Sequence, residues 1–177
     1  EGALDKAFSA YAEAAKLDPA NKKKKDISAG LTELAGKYAS DAYNAYAFGK
    51  MGEASISFEK AAAASATAPL SQIDTNSIYN AGFTAQAAGD NARAKEFYTK
   101  CLSLGYHGTD GDTYAKMADV CDKLGDKETA KNYLEEGFKA YPQSQSILVG
   151  LINYYVTSGS DTDRLFDRFY RADESHS

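Results

Sequence analysis

The sequence contains no tryptophan, three prolines, two cysteines and two histidines in 177 residues. Each scarcity removes a class of protein. Two cysteines cannot build a disulfide framework. Cys101 and Cys121 each fall in an apolar helical pattern, which reads as core packing of a small thiol, with a mutual disulfide or a reactive thiol as alternatives. No apolar run reaches the roughly 20 residues of a membrane helix, because Ser65, Thr67 and Pro69 interrupt the alanines that begin at Ala61. Lys and Arg number 20 against 25 Asp and Glu, so the net charge of -5 gives nucleic acid no general attraction. His107 and His176 have no sequence neighbours that would complete a triad or a metal set. Asp110-Gly111-Asp112 lacks the alternating oxygen ligands and distal glutamate of a calcium loop and reads instead as a helix start capped by Asp112. A glycine-rich phosphate loop and a nucleophile elbow are also missing. The expectation is a protein with no catalytic residues, no metal and no cofactor.

What is present is a folded, repetitive chain. Hydrophobic residues make up 44% of it, with 13 tyrosines and 8 phenylalanines, which is too much for disorder. Ala7, Tyr11, Ala14 and Pro19 form a small-large-small-proline template. Ala94, Tyr98 and Cys101 repeat its first three positions, and Ala130, Leu134, Gly137 and Pro142 repeat all four. Small residues at helical spacing let two helices approach closely, and the large one fills the groove between them. Five residues before each leading alanine stands a glycine, Gly2, Gly89 or Gly125, suited to a tight turn between helices. Before the glycines run apolar stripes: Ile78, Ala81, Gly82 and Ala85; Tyr114, Met117, Ala118 and Cys121; Leu148, Leu151, Ile152 and Tyr155. Each unit is an antiparallel helix pair.

Gly125 lies 36 residues after Gly89, and Gly159 lies 34 after Gly125. With this template the chain resembles the tetratricopeptide repeat family, whose unit is about 34 residues. The resemblance implies an all-α, right-handed superhelix of about nine antiparallel helices, a single array over 1–177. It divides into a half repeat at 1–19, a repeat with a lengthened first helix at 26–69, repeats at 75–106 and 112–142, and a terminal or capping repeat at 145–177. Helices are expected near 3–17, 26–49, 53–66, 75–88, 91–104, 112–124, 127–140, 145–158 and 161–171. In the second unit Gly49 is the preferred turn over Gly52, because it keeps Phe58 in the large position.

The chain opens at Glu1 rather than at methionine, and Gly2 takes the turn position, so the array reads as cut within its first repeat. The first helix should then expose Ala7, Phe8 and Tyr11, covered by another copy or by a removed part of the protein. At the other end Arg164, Asp167, Arg168 and Arg171 suit a polar cap. Lys22 to Lys25 read as a solvated helix start, with an anion-binding patch as the alternative.

The family lines its concave groove with the first helix of each pair. The resemblance therefore points to Tyr43, Tyr46, Asn76, Tyr79, Asn80, Phe83, Gln86, Lys116, Asp119 and Asn153 as partner-binding, with Asp122 or Lys123 and Val149 beside them. Tyrosine combines contact area with a hydrogen-bonding tip, and side-chain amides pair with peptide backbone. Packing between helices is the competing role for the aromatics. The carboxylate clamp of chaperone-binding members maps to Ala39, Tyr43, Asn80, Asp112 and Lys116, of which only Asn80 and Lys116 match. Two functions are expected: a scaffold or adaptor holding a protein or peptide in the groove, or a structural segment of a larger repeat protein making contacts with itself. Segments such as 151–159 are similar to repeat proteins of Bacteroidetes-type bacteria, which implies the periplasm over the cytoplasm.

Overall fold

The computed structural model describes residues 2–159. In chain order the helices are α1 (Ala3–Leu17), α2 (Lys24–Ala47), α3 (Met51–Ala66), α4 (Thr75–Ala87), α5 (Asn91–Ser103), α6 (Asp112–Lys123), α7 (Lys127–Ala140) and α8 (Gln145–Ser158), with a 3-10 turn at Thr109–Gly111. The described chain is all-α. The helix expected near 161–171, its arginines and His176 lie outside the described residues.

Glycine in the left-handed region ends the helices that the template marks. Gly49, Gly89 and Gly125 have φ of 72°, 84° and 83°. After each, a backbone N–H reaches back five residues: Lys50 to the Ala45 carbonyl, Asp90 to Ala85 and Asp126 to Cys121, at 2.8 to 2.9 Å. These bonds satisfy carbonyls that a helix end would otherwise leave bare. Asp90 and Asp126 then cap the following helix, accepting from the backbone N–H of Arg93 and Thr129. Gly52 sits inside α3, so Gly49 is the turn. Gly105 makes an unforeseen fourth closure, with Tyr106 N–H bonded to the Cys101 carbonyl.

Two expectations about local geometry need correcting. Gly2 has φ of -69° in extended backbone, so it starts α1 rather than forming a left-handed turn. Asp112 is the first residue of α6 and not its cap. Gly111, at φ 76°, takes the cap position after the short 3-10 turn, and the close approach of the Tyr141 ring leaves no room there for a Cβ.

The chain divides into two compact units, Glu1–Lys100 and Cys101–Ser177. In the first, Leu34 and Tyr38 of α2 and Ala61 and Ala64 of α3 form one cluster, and Ala42, Ala45, Ala54, Phe58 and Ala81 form the next, with Phe97 packed against it. Alanine dominates because the helices lie close. The Ser55 hydroxyl, buried between α3 and α4, donates to the Ala81 carbonyl at 2.9 Å, which meets its own need for a partner.

The expected exposure of Ala7, Phe8 and Tyr11 is not what the structure has. Leu4, Ala7, Phe8 and Tyr11 pack against the Leu34–Tyr38–Ala61–Ala64 cluster. The Tyr11 ring fills the space left by the missing side chain of Gly30. A self-association surface built on those residues is therefore already occupied by α2 and α3. No residue of α1 is fully buried, and a polar latch supplements its packing. The Tyr38 hydroxyl donates to Asp5 Oδ1 at 2.8 Å, and Lys60 Nζ donates to the same oxygen at 2.7 Å.

Lys60 and then Tyr38 hold the Asp5 carboxyl below its ordinary value, while burial and then Asp5 push the Tyr38 phenol up. The Asp5 contribution is fully present above the unfolded-state value of 3.8 and is lost as pH falls through the lower folded value. That of Tyr38 is present below 10.0 and fades as pH rises past it. Acidification below about pH 4 should release α1 first, seen as loss of the Phe8 and Tyr38 ring shifts by NMR before the rest of the chain changes. Asp5→Asn should remove that acid sensitivity. Equal acid response in the two proteins would rule out the latch.

In the second unit Tyr114, Met117, Val120 and Cys121 of α6, Ala130, Leu134 and Gly137 of α7, and Ile147, Leu151 and Tyr155 of α8 are buried. Cys101 is also fully buried here, as its apolar surroundings in the sequence suggest. The stripe on α8 is rotated from the expected one. Ile147 replaces Leu148 in the interior, and Ile152 is 47% exposed. Ile147 is drawn in because Gly137 opens a space beside it and Tyr114.

Candidate functional site

Helical spacing sets which residues share a face. On α2, Tyr43 and Tyr46 are three apart; on α4, Asn76, Tyr79, Asn80 and Phe83 follow at i, i+3, i+4 and i+7. The α4 start is fixed by Asp74, which accepts from the Ser77 backbone N–H at 2.9 Å. The opposite side of α4, with Ile78, Ala81, Gly82 and Ala85, is buried, and this turns Asn76 and Tyr79 outward.

Within the first unit this face is a band of aromatic rings edged by amides. Tyr43 is 52% and Tyr46 44% exposed, Asn76 is exposed, and Tyr79, Asn80, Phe83 and Gln86 are half-buried. Tyr43 stands edge-on to Phe58 at 5.0 Å between centroids, Tyr46 tilts against Phe83 at 6.3 Å, and Tyr79 against Tyr98 at 5.9 Å. The buried Tyr98 hydroxyl donates to Gln86 Oε1 at 2.8 Å. The rings thus do both things weighed for them: one edge packs and the other is presented. Such anchoring restricts the rotamers in advance, so a contacting partner costs less side-chain entropy.

The second unit carries a separate cleft of about 290 Å³ between α6 and α8. Ala115, Ala118, Asp119 and Asp122 line it from α6, and Ser146, Val149, Gly150, Asn153, Tyr154 and Thr157 from α8, over a floor of Ala130 and Leu134. Of the expected residues, Asp119 and Asn153 are in this lining, and so are Asp122 and Val149. Lys116 is half-buried on α6 and is not among the lining residues. Lys123 bonds Asp119 at 2.7 Å, which leaves the cleft polar with a mild acidic bias on the α6 side.

Sequence reasoning missed Ser146, Gly150, Tyr154 and Thr157. A signal existed: Ser146, Val149, Gly150, Asn153 and Thr157 recur at helical spacing, and most are small or polar in an otherwise apolar helix. It also missed the role of His107. His107 Nδ1 lies 2.7 Å from the Tyr141 hydroxyl, and its ring packs against Tyr114 at 5.2 Å and Tyr141 at 5.7 Å. Burial, and then the Glu136 carboxylate, push the Tyr114 phenol up. This cluster pins the loop ahead of α6 to Tyr141 at the end of α7, and the Thr113 N–H at the start of α6 bonds the His107 carbonyl at 3.0 Å. Among the described residues no three of His, Cys, Asp and Glu gather as a metal site. No described helix is long and apolar enough to cross a membrane.

Asn80 and Lys116, the two survivors of the clamp pattern, fall in different units. Comparison with known families places two repeats on this framework. Residues 75–104 and 111–144 match the tetratricopeptide repeat model, so α4 with α5 and α6 with α7 are tetratricopeptide repeats. No curated protein is significantly similar to the chain.

Proposed function

We propose that this protein is a non-enzymatic interaction module that binds a peptide or protein segment along the face formed by Tyr43, Tyr46, Asn76, Tyr79, Asn80 and Phe83, with Gln86 at its edge. The observation that carries the reading is the Tyr46–Phe83 contact, which joins the aromatic residues of α2 and α4 into one surface. Half-exposed rings anchored from behind give contact area, while Asn76 and Asn80 offer donors and acceptors to an extended backbone. The cleft holding Asp119 and Asn153 in the second unit is a further place for the same kind of ligand, and Lys116 stands on the same helix as Asp119. Repeats of this family bring protein partners rather than small substrates, which agrees with a surface that has contact chemistry and no reactive constellation.

The test is selection of a displayed random-peptide library on the chain of residues 1–177 and on a variant carrying Tyr46→Ala, Tyr79→Ala and Phe83→Ala. Peptides enriched on the parent should lose at least about tenfold in affinity for the variant. Unchanged binding would rule out this face. If no peptide is enriched and the chain instead self-associates in sedimentation, with the triple variant reducing that association, the surface serves as a structural contact between copies.

A further inference from the structure

The cleft between α6 and α8 in the second unit, about 290 Å³ in volume, has a lining that discriminates among side chains. It contains two carboxylates, Asp119 and Asp122, and no lysine or arginine. Asp119 is partly compensated, because Lys123 on the same helix donates to its Oδ2 at 2.7 Å. Asp122 is exposed and has no ion pair among the described residues. Two carboxylates against the one ammonium of Lys123 leave this side of the cleft negative. Across from them, the Asn153 amide and the Tyr154 hydroxyl of α8 make no side-chain hydrogen bond among the described residues. Both carry an oxygen that can accept from an incoming donor.

Helix direction adds to this charge. Short connections join α6 to α7 and α7 to α8, so α6 and α8 both run antiparallel to α7 and parallel to each other. Asp122 stands in the last turn of α6 and Thr157 in the last turn of α8, so one end of the cleft lies at the negative poles of both helix dipoles. No basic residue in the last turn of α8 offsets its pole. Elsewhere the lining is small and apolar: Ala115 and Ala118 on α6, Val149 on α8, and Leu134 beneath them. A side chain with a long apolar stem and a cationic head matches that gradient, with methylenes on the floor and charge at the acidic end.

We propose that the α6–α8 cleft is a subsite for an arginine or lysine side chain of a bound polypeptide, with its stem against Ala115, Ala118 and Val149 and its head at Asp122 and Asn153. The inference rests on the reading that this cleft takes peptide, and it names the residue that the cleft selects. An acidic side chain would meet the charge of Asp122, and an apolar one would leave Asp122 and Asn153 with no partner but water. Lys123 competes with the incoming head for Asp119, and so it limits the affinity of the subsite.

The probes are blocked tripeptides, alanine at both ends, with arginine, citrulline or glutamate in the middle; citrulline keeps the shape of arginine and lacks its charge. Heteronuclear NMR follows the backbone amides of the chain of residues 1–177. The arginine peptide should shift the signals of Ala118, Gly150 and Asn153, with a Kd of about 1–10 mM. The citrulline peptide should bind at least about threefold more weakly, and the glutamate peptide should not bind at about 20 mM. Asp122→Asn should weaken the arginine peptide about threefold and leave the citrulline peptide unchanged. Lys123→Met frees Asp119 and should tighten the arginine peptide about twofold, a gain that a merely structural role would not give. Asp122 and Lys123 are exposed, so the thermal melt should not move. The triple variant at Tyr46, Tyr79 and Phe83 should bind the arginine peptide as the parent does, which separates failure here from failure of the aromatic face. If all three peptides shift the cleft signals equally, or if Asp122→Asn has no effect, the cleft takes peptide without selecting a cation, and this proposal is overturned while the peptide reading stands. If none shifts them at about 20 mM, both this proposal and the cleft as a peptide site fall. The proposal is also overturned if the chain self-associates and Asp122→Asn only abolishes that association.

Discussion

Tyr98→Ala should cost the first unit about 3–5 kcal/mol, the range for removing a fully buried aromatic from a well-packed core. Tyr98 is 0% exposed, lies against the bare Cα of Gly82, and supports the Tyr79 ring from behind. Its hydroxyl also holds Gln86. Tyr98→Phe keeps the ring and removes only that bond, so its cost should be near 1 kcal/mol. Urea unfolding followed by circular dichroism measures both. The large residue of the template acts as the wedge between α4 and α5 if the alanine variant loses several times more than the phenylalanine variant; a loss of under about 1 kcal/mol for Tyr98→Ala would refute it. Because Tyr79 loses its backing, peptide affinity at the aromatic face should fall in the alanine variant even where the chain remains folded.

Gly137→Val should be of similar severity in the second unit, for the opposite reason. A Cβ at Gly137 would lie 2.7 Å from Tyr114 Cβ and 2.9 Å from Ile147 Cδ1. Ile147 can turn its terminal methyl aside, but Tyr114 Cβ is attached to the α6 backbone. Relief requires α6 and α7 to separate, breaking the packing of Met117 and Leu134, and the cost is about 3 kcal/mol or more. Gly36→Ala makes the informative contrast. It lies inside α2, exposed, with nothing within 4 Å of its would-be Cβ, so it should stabilise by about 0.5–1 kcal/mol through helix propensity. Opposite signs for two helical glycines, measured by the same urea titration, would show that close approach rather than flexibility sets the role of Gly137. A neutral Gly137→Val would remove that account.

Much of the helical framework was legible. The bounds expected for α1, α7 and α8 agree with those observed, and Gly49, Gly89 and Gly125 end their helices in the left-handed region. Helical period, turn glycines and capping aspartates act over a few residues of chain, so a linear pattern records them. The outward placement of Tyr43, Tyr46, Asn76 and Asn153 follows from the same period, because the small residues opposite them mark the packed side.

Other features depend on residues that the linear pattern does not connect. Tyr38 and Asp5 are 33 positions apart, and the hydrogen bond between them closes α1 over an apolar face that the sequence suggested was bare. His107 and Tyr141 are 34 apart, and only folding makes one a partner for the other. Ile147 rather than Leu148 turns inward because Gly137, on another helix, leaves space for it. The sequence by itself determined where helices begin and end and which side of most of them is apolar, since those depend on intrinsic backbone preference and local spacing. Only the tertiary structure decided which of two adjacent apolar residues is buried and which rings meet. These outcomes depend on shape and charge supplied by another helix, and the chain between the two records nothing of them.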